Sequence, residues 1–239
     1  MRTRPRDASC NALPLASYGC PKSGPSRSRS HKNERSCYSL SVNKGLATKK
    51  AILREALALV SRIGFEAVSI AQLAEAVGLS KSGLYAHFRD KEGLQLELLD
   101  EATELFRETV ISPAREAPAG EPRVRAIFSN WMHWAELEEL PGGCIFMTAA
   151  NEFADRPGAL RDALVTRQKS WLSFLTKTAR EAVEVGDFRG DLDTGQFARE
   201  LYGIALAYKY FDKLMGDEAA EASARASFER LLSTSRPTP

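Results

Sequence analysis

Long apolar runs are missing from this sequence. None approaches the roughly 18 residues needed to cross a bilayer as a helix. The stretch "NALPLASYGC" near the start is too short and too interrupted by Pro14 to serve as a secretory core. Neither a membrane span nor a signal peptide is expected, and the protein is expected in the cytoplasm. Histidine is scarce, with only His31, His87 and His133. The four cysteines, Cys10, Cys20, Cys37 and Cys144, include no C-x-x-C pair. A disulfide framework and a zinc site are therefore both disfavoured, and no metal or cofactor is expected. Phosphate-loop and zinc motifs are absent as well. Net charge is only +2, too little to mark a nucleic-acid binder, so any such role must rest on a local patch. No segment alternates as a strand does and no internal repeat is visible, which leaves an all-α protein.

What is present divides the chain in three. Residues 1–45 are rich in Ser, Arg and Pro, carry only Asp7 and Glu34 as acids, and show no apolar period. Such a segment cannot offset its ordering entropy and is expected to be a disordered basic tail. It could be inert, as an upstream extension from a misplaced start; it could be a phosphate-touching arm; or it could be a transit peptide. The inert reading is favoured. From Thr48 a helical pattern sets in. Ile52, Leu53, Ala56, Leu59, Val60 and Ile63 recur at helical spacing, and Gly64 stops the helix. "SIAQ" forms a capping box, Ser69 with Gln72, for a second helix with Ile70, Leu73, Ala74 and Val77 inside. Ser80 caps a third helix that should reach Phe88. Asp90 caps a fourth, with Leu94, Leu98, Ala102 and Leu105 inside, until Pro113 stops it. "ISPAREAPAGEP" reads as a surface linker. Beyond it, helices are expected over about 122–140, 145–153, 157–186, 194–214 and 218–233.

Two helices joined by the short turn "GLS", residues 78–80, have the helix-turn-helix layout. On the third helix Leu84 and Phe88 point inward, which leaves Ser82 and Ala86 outward, flanked by Gly83 and Tyr85. A face so slim can enter a major groove roughly 12 Å wide. Lys81 and Ser82 offer donors near the helix start, and Tyr85 and His87 can reach phosphates. Lys91, in the first turn of the fourth helix, and the capped start at Ser69 offer two further phosphate seats. Between Leu46 and Lys91 seven bases face four acids, a modest positive excess. The same string of caps and helices also occurs in proteins that never meet DNA; Tyr85 would then be a half-buried core aromatic and His87 a surface histidine.

Residues Thr48 to Leu98, with "SRIGFEAVSI" followed by "IAQLAEAVGLSKSGLYAHFRDKEGL", resemble the DNA-binding domain of the tetracycline-repressor (TetR) family. The Ala-rich second helix, the Gly-hydrophobic-Ser turn, Tyr-x-His-Phe and the following Lys-Glu-x-Leu are all present. Ser69 is a departure, since the family usually has Thr there, although either can cap a helix and bond a phosphate. The resemblance implies that Lys81, Ser82, Gly83, Tyr85 and His87 contact DNA, with Ser80 in the turn beside them. It implies that Ser69 and Lys91 hold phosphates and that Phe88 packs inside. "GGCIFMTAANEFADRPGALRDAL" and "GDFRGDLDTGQFARELYGIALA" are similar to the family's C-terminal region, which implies a ligand cavity and a homodimer made by the last two helices.

The residues of that region agree in kind. Phe106, Phe128, Trp131, Met147, Trp171, Phe174 and Tyr202 could line an apolar pocket, with His133 and Asn151 as its polar groups; Trp134 and Ala135 widen the stripe around Trp131. Simple core packing is the alternative for each. Phe197, Leu201, Ile204, Ala205 and Tyr208, with Ala222 and Ala226 on the last helix, could form an isologous four-helix interface, or an intrachain pair with no dimer. The expected architecture is all-α: a helix-turn-helix DNA-binding domain over 46–92 and a helical ligand-binding and dimerisation domain over 93–235. The expected function is that of a ligand-responsive transcriptional regulator, a repressor, which binds a palindromic double-stranded operator as a homodimer and leaves it when a small-molecule effector binds. Its rivals are a small all-helical enzyme and a protein-interaction module that uses the C-terminal cavity. An enzyme is not expected: Cys144 follows a Gly pair but has no legible His and Asp partners, and the carboxylates of "NEFAD" and "GDLD" read as helix caps.

Overall fold

The local signals at Gly64, Ser69, Gly78, Ser80 and Asp90 set the first turns of the fold. The computed structural model describes residues 32–134 and 136–238, with side chains from Lys49 onward. Of its two compact units, Met1–Ser41 and Val42–Pro239, the second carries every side-chain contact described below. Helix α1 spans Lys32–Ala67 and is broken at Gly64, where φ is 84°. It is therefore helical well before Thr48, inside the segment read as a tail; each residue added to an existing helix gains a hydrogen bond. Residues 1–31, with Cys10, Cys20 and His31, and also Ala135, lie outside the described residues.

Helix α2 (Ile70–Ala76) starts at the expected capping box. Ser69 Oγ accepts the Gln72 N–H at 3.2 Å, and Gln72 Oε1 accepts the Ser69 N–H at 2.9 Å. It ends in a Schellman motif: Gly78 is left-handed (φ 67°), Leu79 N–H donates to Ala74 O at 2.8 Å, and Gly78 N–H donates to Glu75 O at 3.1 Å. Ser80 then caps α3 (Lys81–Tyr85) through the Gly83 N–H. Helix α3 is shorter than expected; residues to Phe88 continue only as a turn, through His87 N–H and Phe88 N–H to Leu84 O. Asp90 caps α4 (Lys91–Phe106) through the Gly93 N–H at 2.7 Å. Leu53, Leu57, Val60, Leu73, Leu84, Phe88 and Leu94 are all buried, closing the three-helix head onto α4. Ile63, expected inside, is exposed.

Pro113 does not stop the chain. Helix α4 runs through a wide π-type turn, Arg107–Ile111, into α5 (Ser112–Glu116). The wide turn shifts the hydrogen-bond register just ahead of Pro113, which has no N–H to give. Asn130 Nδ2 donates to the Val110 carbonyl inside that turn at 3.2 Å. Half of the supposed linker is therefore helical, with Ala114 fully buried. Next come α6 (Glu121–Trp134), α7 (Ile145–Phe153), α8 (Ala159–Glu184), α9 (Thr194–Lys209, then a second wide turn Tyr210–Leu214) and α10 (Ala220–Ser235). Helix α6 is shorter than expected at its C-terminal end. Helix α9 packs between α8 and α10, and α8 also packs on α4, α6 and α7. Among the described residues there is no strand, and no helix is long and apolar enough to cross a membrane.

One expected surface is turned around. Phe197, Leu201, Ala205 and Tyr208 are buried within the chain, and Ile204 is half-buried. Ala222 and Ala226 are exposed. Helix α9 has two apolar faces, and the one with the larger contiguous stripe fills the core. The other carries Leu206, Tyr210, Phe211, Leu214 and Met215 into solvent, with Leu214 70% and Met215 60% exposed.

Candidate nucleic-acid interface and apolar cavity

The outer face of α3 is open. Ser69, Ser80, Lys81, Ser82, Ala86 and Lys91 are exposed, and Gly83 and His87 are half-buried. Tyr85 is 53% exposed, which rules out the half-buried core reading of that ring. Beneath them Leu84 and Phe88 are buried, as their spacing requires. The Ser80 and Ser82 hydroxyls lie 3.0 Å apart, and Ser80 also receives the Gly83 N–H. A Cβ at Gly83 would meet Ser80 Oγ at 3.2 Å and crowd that cap. Lys91 Nζ donates to the Glu66 carbonyl at 3.1 Å, beside the start of α2, and keeps two donors free. The fold thereby brings Lys91 close to the Ser69 cap.

The positive charge of the head is not shared evenly. Lys49 pairs with Glu97 on α4, and its ammonium lies 5.1 Å from the centre of the Phe88 ring. Arg54 binds Glu101 and Glu108, each at 2.7 Å, and Lys50 joins the same acids. These contacts raise the Arg54 pKa, chiefly through the Glu101 hydrogen bond, and hold α1 against α4. Among the described residues Arg62, Lys81 and Lys91 have no carboxylate partner, and of these Lys81 and Lys91 flank the α3 face; Arg89 meets only the adjacent Asp90, at 3.5 Å. A modest excess in the sequence thus becomes a local one around α3.

The C-terminal helices enclose a cavity of about 320 Å³, at the small end of the range for ligand sites. Six of the expected nine residues line it: Phe106, Trp131, Met147, Trp171, Phe174 and Tyr202. The other three do not. Phe128 stacks on Phe228 with ring centres 4.0 Å apart, while His133 and Asn151 are exposed on the outer faces of α6 and α7. The rings pack edge to face. Phe106 meets Trp171 at 4.8 Å, Trp131 meets Trp171 at 5.1 Å, and Trp131 meets Tyr202 at 5.4 Å. Polar groups that sequence reasoning missed are Thr103, Arg107, Arg115, Arg167, Gln168 and Ser170, together with the buried Cys144 thiol. Arg167 stands one turn before Trp171 and two before Phe174, a helical spacing that puts all three on one face. Tyr202 OH donates to Gln168 Oε1 at 2.9 Å. Burial, then the Cys144 sulfur, pushes that hydroxyl up to about 12, so it stays a neutral donor at pH 7. Among the described residues no group of His, Cys, Asp and Glu could hold a metal ion.

Helix α7 joins the two regions. Phe146 and Met147 face the cavity, and near the other end Glu152 Oε2 accepts the Phe65 N–H at 2.9 Å, immediately after the break in α1. Gln95 Nε2 of α4 donates to the Phe65 carbonyl at 3.0 Å. Gly142 N–H donates to Ser61 Oγ at 3.1 Å. A reading head so tied to a helical body with a hollow centre defines a helix-turn-helix DNA-binding regulator.

Comparison with known proteins gives the family. Residues 52–98 match the model for bacterial regulatory proteins of the tetR family, and residues 120–228 match that for the tetracyclin repressor-like C-terminal domain. The chain belongs to the TetR family of transcriptional regulators. It is 29% identical over 196 residues to the HTH-type transcriptional regulator TcmR of Streptomyces glaucescens, covering 80% of this chain and 83% of TcmR. A TetR transcriptional regulator from Chloroflexus aurantiacus shares the fold with a TM-score of 0.71 and 22% identity, over 80% of this chain and 95% of that one. AibR, solved with isovaleryl coenzyme A and operator DNA, has a TM-score of 0.63 and 25% identity, over 77% of this chain and 98% of AibR.

Proposed function

We propose that this regulator is a repressor that binds a palindromic double-stranded operator as a homodimer and is released when a small molecule fills the cavity. The observation that carries it is the exposed face of α3, where Lys81, Ser82 and Tyr85 stand free above buried Leu84 and Phe88. In this reading residues 46–92 form the reading head and residues 93–235 the effector and dimer domain. Lys81, Ser82, Gly83, Tyr85 and His87 meet the major groove and its backbone; Ser69, Ser80 and Lys91 seat phosphates. AibR, with operator DNA and a small molecule bound together, supports the pairing of the two sites in one chain.

The dimer forms through the outward faces of α9 and α10. The exposed Leu206, Phe211, Leu214 and Met215 supply the apolar centre that such interfaces have. Two reading helices then address half-sites roughly 34–36 Å apart. The effector acts by differential affinity: it binds better to a conformer whose heads are wrongly spaced. Two routes lead from the cavity to the head. Helix α4 begins at Lys91 and ends at the cavity wall with Phe106, and α7 reaches from Phe146 to the Glu152 clamp on Phe65.

The experiment is operator selection from random DNA, followed by gel shift with Tyr85→Ala and Lys91→Ala. Both variants should keep the wild-type melting temperature, since both side chains are exposed. Both should bind the selected operator at least about tenfold more weakly, and Lys91→Ala should reduce the salt slope by about one. Unchanged operator affinity in both would refute the assignment.

A further inference from the structure

We infer that the effector is a flat aromatic acid: a fused-ring body held by the aromatic walls, with one ionised carboxylate at Arg115. The inference rests on the reading of the cavity as the effector site. Six aromatic side chains, from α4, α6, α7, α8 and α9, make up most of its apolar lining, with Ile111, Met147 and Cys144 the rest. Trp171 is the centre of the wall. It meets Phe106 and Trp131 edge to face at 89° each, and stacks nearly parallel to Phe174 at 5.6 Å. A guest with its own ring system can repeat these geometries at the same 4.5–7 Å spacings, whereas an aliphatic chain gains only area.

The charged groups of the lining have one sign. Arg107, Arg115 and Arg167 line the cavity and no carboxylate does. Arg107 is already forked onto Glu104 at 2.8 and 2.6 Å and bonded to Ser112. Arg167 is held by Asp100, by Thr103 Oγ1 and by the Ala163 carbonyl. Arg115 differs. Among the described residues no carboxylate pairs with it, and its guanidinium lies 5.4 Å over the Phe174 ring. It is exposed and lines the cavity, which places it at the opening. A planar fork preset over an aromatic face matches a carboxylate in the plane of a stacked ring. Gln168, whose amide oxygen takes the Tyr202 hydroxyl, keeps its amide N–H groups as neutral donors for an oxygen on the ring body.

Trp131 and Trp171 report on the site directly, because an aromatic guest against them quenches their emission. The full-length protein is titrated with anthracene-2-carboxylate, with the neutral anthracene-2-carboxamide, and with decanoate, while operator binding is followed by gel shift on the same preparation. The inference predicts that the acid quenches and binds at least about tenfold tighter than the amide, the value of one charge-assisted hydrogen bond, and that decanoate binds more weakly still. In Arg115→Gln, whose exposed position makes misfolding no concern, the acid should fall to the affinity of the amide. Equal affinity of acid and amide in the wild type overturns the carboxylate assignment, and equal affinity for decanoate overturns the aromatic one. If none of the three quenches, the inference falls as a whole; the gel shift of the free protein then still reports whether it is a DNA-binding regulator.

Discussion

Glu152 should be worth more to this protein than an exposed glutamate has any right to be. Its carboxylate accepts the Phe65 N–H at 2.9 Å, at the point where Gly64 breaks α1 and no helical acceptor is available. Phe65 itself is 1% exposed and packs edge to face on Phe153 of α7 at 6.2 Å. Glu152→Ala leaves a partly buried N–H without a partner, at a cost of about 1–3 kcal/mol. For a domain of this size that lowers the melting temperature by about 2–12 °C. Glu152→Gln keeps an acceptor and loses only the charge, so it should lie between wild type and Ala. Gly64→Ala attacks the same clamp from the other side. Its Cβ would overlap the Glu152 carboxylate, and a residue with a Cβ at φ 84°, ψ 169° adds about 1–3 kcal/mol of strain. Calorimetry ranks the four proteins. The functional readout is the drop in operator affinity on adding a quenching ligand, a coupling of about 1–3 kcal/mol in regulators generally. Glu152→Ala should bind ligand normally and lose part of that drop. A wild-type melting temperature together with full coupling in Glu152→Ala would refute the clamp.

Other outcomes follow from separate parts of the molecule. Leu214→Asp or Phe211→Asp should convert a dimer to monomer by light scattering, because each puts a charge into the exposed apolar strip after α9; Leu201→Ala should instead lower stability, since Leu201 is buried within one chain. Glu121 is held by Arg236 first and then Arg125, which depress its pKa from 4.5 to about 2. Its folded form is the stronger acid, so its stabilisation is complete above about pH 4.5 and is lost as pH falls toward 2. The gap in urea midpoint between wild type and Glu121→Gln should therefore be constant near neutrality and close progressively below pH 4.5.

The reading head and the helical class follow from local residue patterns. Ser69, Ser80 and Asp90 each bond a backbone N–H three residues on, and Gly64 and Gly78 take left-handed backbone. Interactions across three or four residues need no knowledge of the rest of the chain, and so α2, the turn and the starts of α3 and α4 were legible. The Tyr85 and Lys91 face was legible for the same reason: once Leu84 and Phe88 are assigned inward, the outer residues follow from helical geometry. Only the tertiary structure decided which apolar stripe of α9 lies inside, because spacing identifies a stripe but not what covers it. Phe197 and Leu201 met the core, and Leu214 met solvent. The same holds for the cavity. His133 and Asn151 share helices with Trp131 and Met147 yet point away, while Arg115 reaches the cavity from beyond the wide turn before Pro113. That turn rotates every residue after it relative to α4, and no count of residues along an ideal helix could have placed the Arg115 guanidinium over Phe174.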